Sequence, residues 1–187
     1  MVTAFVLAVL VGIAARLRGG SVHDLAETTF RWTPLLVAAL VLQIGFIYWD
    51  PEWLGERGGV VVVLASNAAV AAWLFANKAL PGLMLAAAGM ALNVVVIAAN
   101  GSMPVLERSA KAAGVERSLA DATLKHEPLN DDTVLPWLGD AIPVRPFKEV
   151  LSVGDVVLAL GLARVVDARM MMHRKPRHSA DATSEEA

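Results

Sequence analysis

A chain of 187 residues that is 56% hydrophobic and only 18% charged, with a mean hydropathy of +0.56, reads as a multi-pass membrane protein. A formal charge of -2, with no basic cluster interleaved with aromatics, sets nucleic-acid binding aside. The absence of cysteine excludes disulfides, thiol nucleophiles and Cys-based zinc sites.

Five apolar segments are bounded by the places where charge stops and resumes. The first, Val2 to Ala15, is short for a bilayer core that needs about 20 residues, but Arg16 and Arg18 can snorkel and extend it. A cleaved signal peptide is the rival reading, disfavoured because the arginines follow the apolar run instead of preceding it. The second runs from Thr33 to Trp49, with Trp32 before it and Tyr48 and Trp49 at its far end, an aromatic belt at each interface. Thr33 followed by Pro34 is a good helix start. The third runs from Gly58 to Ala76, the fourth from Pro81 to Ala99, and the fifth from near Ser152 to about Met172.

The pieces between them carry their own signals. Ser21 to Trp32 opens with a Ser-x-x-Asp capping box and places Val22, Leu25, Ala26, Thr29 and Phe30 on one helical face, so a helix lying on the inner surface is expected. In the long loop 100–149, Pro104 is expected to start a short helix that Gly114 ends, and Ser118 to Asp121 is a second capping box. A structureless loop of that length is uncommon, so a folded cap is expected. The fold class is thus an all-α integral membrane protein of about five transmembrane helices, with an extracytoplasmic loop of short helices and turns. Residues 1–172 form one multi-pass domain that includes the outer cap 100–149. Residues 173–187 form a tail that is basic and then disordered.

Orientation follows from lysine and arginine. With the N-terminus outside, Arg16, Arg18, Arg31, Lys78, Arg164, Arg169, Arg174, Lys175 and Arg177 are cytoplasmic, as the positive-inside rule asks. The cap works against it, with Arg108, Lys111, Arg117, Lys125, Arg145 and Lys148. The reading is a plasma-membrane protein, N-terminus out and C-terminus in.

The order NGSMPV (Asn100 to Val105), KHEP around His126, LPWLGDAIP (Leu135 to Pro143) and SVGDVVLALG (Ser152 to Gly161) resembles a family of small bacterial multi-pass membrane proteins known as a domain of unknown function. The resemblance runs to about residue 165. It departs at Ser102, where the family pattern is closer to Asn-Gly-Gly-x-Met-Pro. It implies a shared membrane topology with an ordered extracytoplasmic segment, and no activity.

Few residues suggest chemistry. Ser152 fits an N-cap and Asp155 the N3 position, a structural reading favoured over a functional acid. Gly139 and Asp140 suit a tight turn, with Pro143 and Pro146 forcing an extended exit. At about 1.5 Å of rise per residue, Gln43, Asn67 and Asn93 all fall in the outer half of the membrane. A candidate polar site therefore comprises Gln43, Asn67, Asn93, Asn100, His126, Asp140 and Asp155, roofed by the cap. The plainer reading is that the amides bond across helices beside small residues such as Gly82, Ala86, Gly89 and Ala65. His126, Glu127, Asp131 and Asp132 lack metal-ligand spacing, and no hydrolase, zinc-protease or phosphate-loop motif occurs. No catalytic residue, metal or cofactor is assigned.

Two functions stand. One is a non-enzymatic accessory or scaffold protein that engages a membrane protein partner, or a second copy of itself, through helix faces and the outer loop. The other is a small-molecule or lipid site for binding, transport or a lipid-directed reaction.

Overall fold

The structure, a computed structural model, describes residues 2–48, 55–115, 126–130 and 132–172. The second capping box, residues 118–121, and the tail 173–187 lie outside the described residues. The chain is mostly helical: α1 (Val2–Leu17), α2 (Val22–Ala26), α3 (Thr33–Tyr48), α4 (Gly55–Ala76), α5 (Leu83–Asn100), α6 (Glu107–Ala113) and α7 (Val153–Met170). All five apolar segments are helices. Among the described residues, Arg57–Ala76 and Leu83–Asn100 are long and apolar enough to cross a membrane, and Val2–Leu17 and Thr33–Phe46 are shorter apolar helices. α7 has the length, but Asp155, Arg164, Asp167 and Arg169 lie near its two ends.

The long helices pack most extensively as α3 on α4, α4 on α5, α5 on α7 and α7 on α1. Chain order is therefore broken once, where α1 pairs with the last helix. Two apolar clusters mark the two halves of this arrangement. One gathers Trp73, Leu74, Leu83, Met90, Leu158 and Val165; the other gathers Val63, Val96, Ile97, Met103 and Leu138.

The second cluster lies at the end that carries loop 100–151. At the opposite end the connections α1–α3 and α4–α5 meet the C-terminus of α7. Ser21 N–H donates to the Met170 carbonyl at 2.7 Å, and Arg18 pairs with Asp167. Arg169 Nε donates to Thr28 Oγ1 at 2.8 Å. The Asn77 amide both donates to and accepts from the Arg31 backbone, at 3.0 and 2.7 Å.

Three local expectations need correction. The cap is not built only of helices and turns: β1 (Met103–Val105) pairs in parallel with β2 (His126–Pro128), and β3 (Ile142–Val144) pairs antiparallel with β4 (Glu149–Leu151). Pro104 sits inside β1, so α6 starts only at Glu107. Pro104 is extended because its fixed φ suits a strand and its carbonyl still accepts from Asp140 N–H at 2.8 Å. Pro146 lies in a 3-10 turn, Arg145–Phe147, not in an extended exit.

The helix expected over Ser21 to Trp32 is shorter than its sequence pattern implied. α2 opens at Ser21, whose side chain accepts from Asp24 N–H, but ends at Ala26. Thr28 Oγ1 donates to the Asp24 carbonyl at 3.2 Å, a local side-chain bond that competes with continuation of the helix. Gly114 does end α6, at φ +76°.

Candidate functional site

The antiparallel seam between α5 and α7 fixes the geometry of a polar cluster at one end of the helices. Small residues recur on both partners: Gly82, Ala86 and Gly89 on α5 and its cap, Gly154 and Gly161 on α7. A methyl group on Gly154 would overlap the Asn93 amide and come within 2.7 Å of the Gly89 carbonyl oxygen. One on Gly161 would meet the Gly82 carbonyl at 2.7 Å. Gly82 also sits at φ +98°, which a side chain would strain. The backbones therefore approach too closely for a side chain at these positions, a packing device suited to apolar surroundings where van der Waals contact drives association.

Asn93, Ser152 and Asp155 close a ring at the end of this seam nearest the cap. Ser152 Oγ donates to Asn93 Oδ1 at 2.9 Å, and Asn93 Nδ2 donates to Asp155 Oδ1 at 2.8 Å. Asp155 Oδ2 accepts from Ser152 N–H at 3.2 Å, and Asp155 N–H donates to Ser152 Oγ at 3.0 Å. The last two bonds are both halves of a capping box, so the N-terminus of α7 is satisfied as its sequence implied. Ser152 is 0% exposed and Asn93 8%. The Ser152 hydroxyl proton points to an amide oxygen and not to a carboxylate. Asp155 is therefore not positioned as its base, and no activated nucleophile results.

The other expected residues have partners of their own. Gln43 Nε2 donates to Asn67 Oδ1 at 3.1 Å and ties α3 to α4. Asn100, the last residue of α5, donates to the Val96 and Val134 carbonyls and accepts from Val134 N–H at 2.8 Å, which fixes the cap to the helix end. Asp140 is buried and lies beside Val105 in a parallel bridge. Its N–H donates to Pro104 and its carbonyl accepts from Leu106 N–H at 2.9 Å. His126 pairs through its backbone with Met103; its side chain, like Lys125 and Asp131, lies outside the described residues. Asn93 and Asp155 are thus brought together, as are Gln43 and Asn67, while Asn100 bonds the cap backbone.

Sequence reasoning missed three residues that hold this frame. Gly154 and Gly161 are seven apart on α7, matching Gly82 and Gly89 on the α5 side, and that shared spacing was the available signal. Glu149 had no signal, because its partners are at the other end of the chain. Its carboxylate accepts from Val2 N–H at 2.7 Å, from Thr3 N–H at 2.9 Å and from Thr3 Oγ1 at 2.7 Å, capping α1. Partial burial pushes the Glu149 carboxyl up, but the donors gathered on it outweigh this and bring its pKa down to about 2.

The pattern of a family of unknown function, DUF5317, matches residues 27–166. The chain belongs to this family. The DUF5317 match takes in α3 to α6, the cap and most of α7, and hence the whole Asn93–Ser152–Asp155 ring; α1 and α2 fall before it. A protein of Thermotoga maritima described as uncharacterized is 28% identical over 166 residues, which cover 87% of each chain. No solved structure matches the chain.

Proposed function

We propose that this DUF5317 member is a multi-pass protein of the cell membrane whose role is non-enzymatic, an accessory or scaffold protein that engages a membrane partner or a second copy through its cap and helix faces. In this reading α1, α3, α4, α5 and α7 are spans, and residues 1–172 form one domain. The N-terminus and cap lie outside, with the tail in the cytoplasm. All five helices carry exposed large apolar side chains, among them Phe5, Val41, Val61, Met84 and Leu160, and exposed apolar surface on every long helix supports a lipid environment. The end opposite the cap gathers Arg16, Arg18, Arg31, Lys78, Arg164 and Arg169, which supports a cytoplasmic placement.

The observation that carries the non-enzymatic role is the closed ring at the seam. Asn93, Ser152 and Asp155 use their polar atoms on one another and on the α7 cap, which is what helix locking requires and what a substrate site would have to undo. Asp155 is only half-buried, and this favours the second reading, a small-molecule or lipid site at the outer rim. Purification in mild detergent followed by native mass spectrometry separates them. The scaffold reading expects a stoichiometric protein partner or dimer that survives Asp155→Asn. A bound small molecule or lipid that is lost on that substitution would overturn it.

A further inference from the structure

The turn Leu135 to Leu138 has an unusual construction. Leu135 is a non-glycine residue in the left-handed region, φ +57°, and it introduces a 3-10 turn over Pro136–Leu138. The turn sends neighbouring side chains to opposite fates. Leu138 is buried against the Val63, Val96, Ile97 and Met103 cluster, while Trp137 is 66% exposed. Val134, just before the turn, and Ile142, just after it, are also exposed.

The height of this patch along the helices is fixed by two independent contacts. Asn100 at the end of α5 bonds both the carbonyl and the N–H of Val134, and Leu138 packs on the last turns of the same helix. The patch therefore sits level with the end of α5, a helix long and apolar enough to cross a membrane, whose Val95 is also exposed about one turn below that end. An indole at that level, apolar in body and with one N–H donor, matches the headgroup boundary of a bilayer. A backbone conformation that costs of order 1 kcal/mol is kept where it turns the indole outward.

We propose that Val134 and Trp137 form a membrane-interface anchor, by which the cap is seated on the lipid headgroup region beside α5. The proposal rests on the membrane reading above. Trp32, exposed and itself at φ +57° at the start of α3, is the corresponding residue at the opposite end of the helices.

Because the chain has no cysteine, nitroxide labels can be placed singly. Val134→Cys reports on the anchor with the tryptophan retained, Val41→Cys on the exposed face of α3, and Lys111→Cys on the exposed face of α6. In phosphatidylcholine vesicles, the ratio of oxygen to nickel-chelate accessibility at 134 should be several-fold above that at 111 and several-fold below that at 41. Adding Trp137→Ser should drive the 134 label toward water, and Trp137→Tyr should not. A water-like ratio at 134 with a lipid-like ratio at 41 overturns the anchor and leaves the membrane reading standing. A water-like ratio at 41 removes both. A 134 label closed to both reagents means that protein covers the patch, and a depth unmoved by Trp137→Ser removes the anchoring role; either result overturns the proposal.

Discussion

Asn93 on α5 and Asp155 on α7, 62 positions apart in the chain, are joined by a 2.8 Å hydrogen bond, with Ser152 bonded to both. The same carboxylate caps the N-terminus of α7, so one side chain both starts that helix and locks it to its neighbour. Coupling of this kind is measurable. Asn93→Ala strands the Ser152 hydroxyl proton in a buried position and should cost about 1–3 kcal/mol, whereas Asp155→Asn keeps one of the two acceptor oxygens, so it retains the bond from Asn93 or from the Ser152 N–H but not both and should cost about 0.5–1.5 kcal/mol. A double-mutant cycle of Asn93→Ala with Ser152→Ala in detergent melts should give a coupling of about 0.5–3 kcal/mol. Strict additivity would mean that the bond contributes nothing to the seam.

The glycines of the seam set a sharper steric limit. Gly154→Ala places a methyl group into the Asn93 amide and the Gly89 carbonyl, so α5 and α7 must part, with a loss of about 1–3 kcal/mol or more. Gly45→Ala, in α3 with nothing within 4 Å, should be neutral or stabilising through its helix propensity. Equal thermal midpoints for the two variants would contradict the packing described.

Glu149 supplies the pH dependence. Its folded pKa, about 2, lies below the ordinary 4.5, so its contribution is fully present above about 4.5 and is lost as pH falls through 2. The melting difference between the wild type and Glu149→Gln should be largest near neutrality and shrink from pH 4.5 downward. A difference that grew on acidification would reverse the assigned sign.

Much of this arrangement was legible in the sequence, and what was not has physical causes. The five apolar runs and the Ser152 capping box were readable because each is a local signal, periodicity or cap chemistry, contained within one turn or one helix. The amides were recognised as polar groups at depth, but their pairing was not, since Asn93 meets Asp155 only once α5 and α7 lie antiparallel. Pro104 misled because a proline suits the first turn of a helix and an extended strand alike, and the choice was made by distant backbone, the pairing of β1 with β2 and the Asp140 N–H that the Pro104 carbonyl accepts. Glu149 was invisible for the same reason as Asn93: a carboxylate in a loop carries no mark of the distant helix end that it will cap.

The central claim is that the cap and the arginine-rich end lie on opposite sides of a membrane. It is tested most directly by labelling intact cells with an impermeant thiol reagent, using single cysteines at Lys111 on the exposed face of α6 and at Lys78 in the α4–α5 turn. The account predicts that Lys111→Cys reacts in intact cells and Lys78→Cys only after permeabilisation. Reaction at Lys78→Cys alone would invert the topology, and recovery of both variants in the soluble fraction would contradict the membrane reading itself.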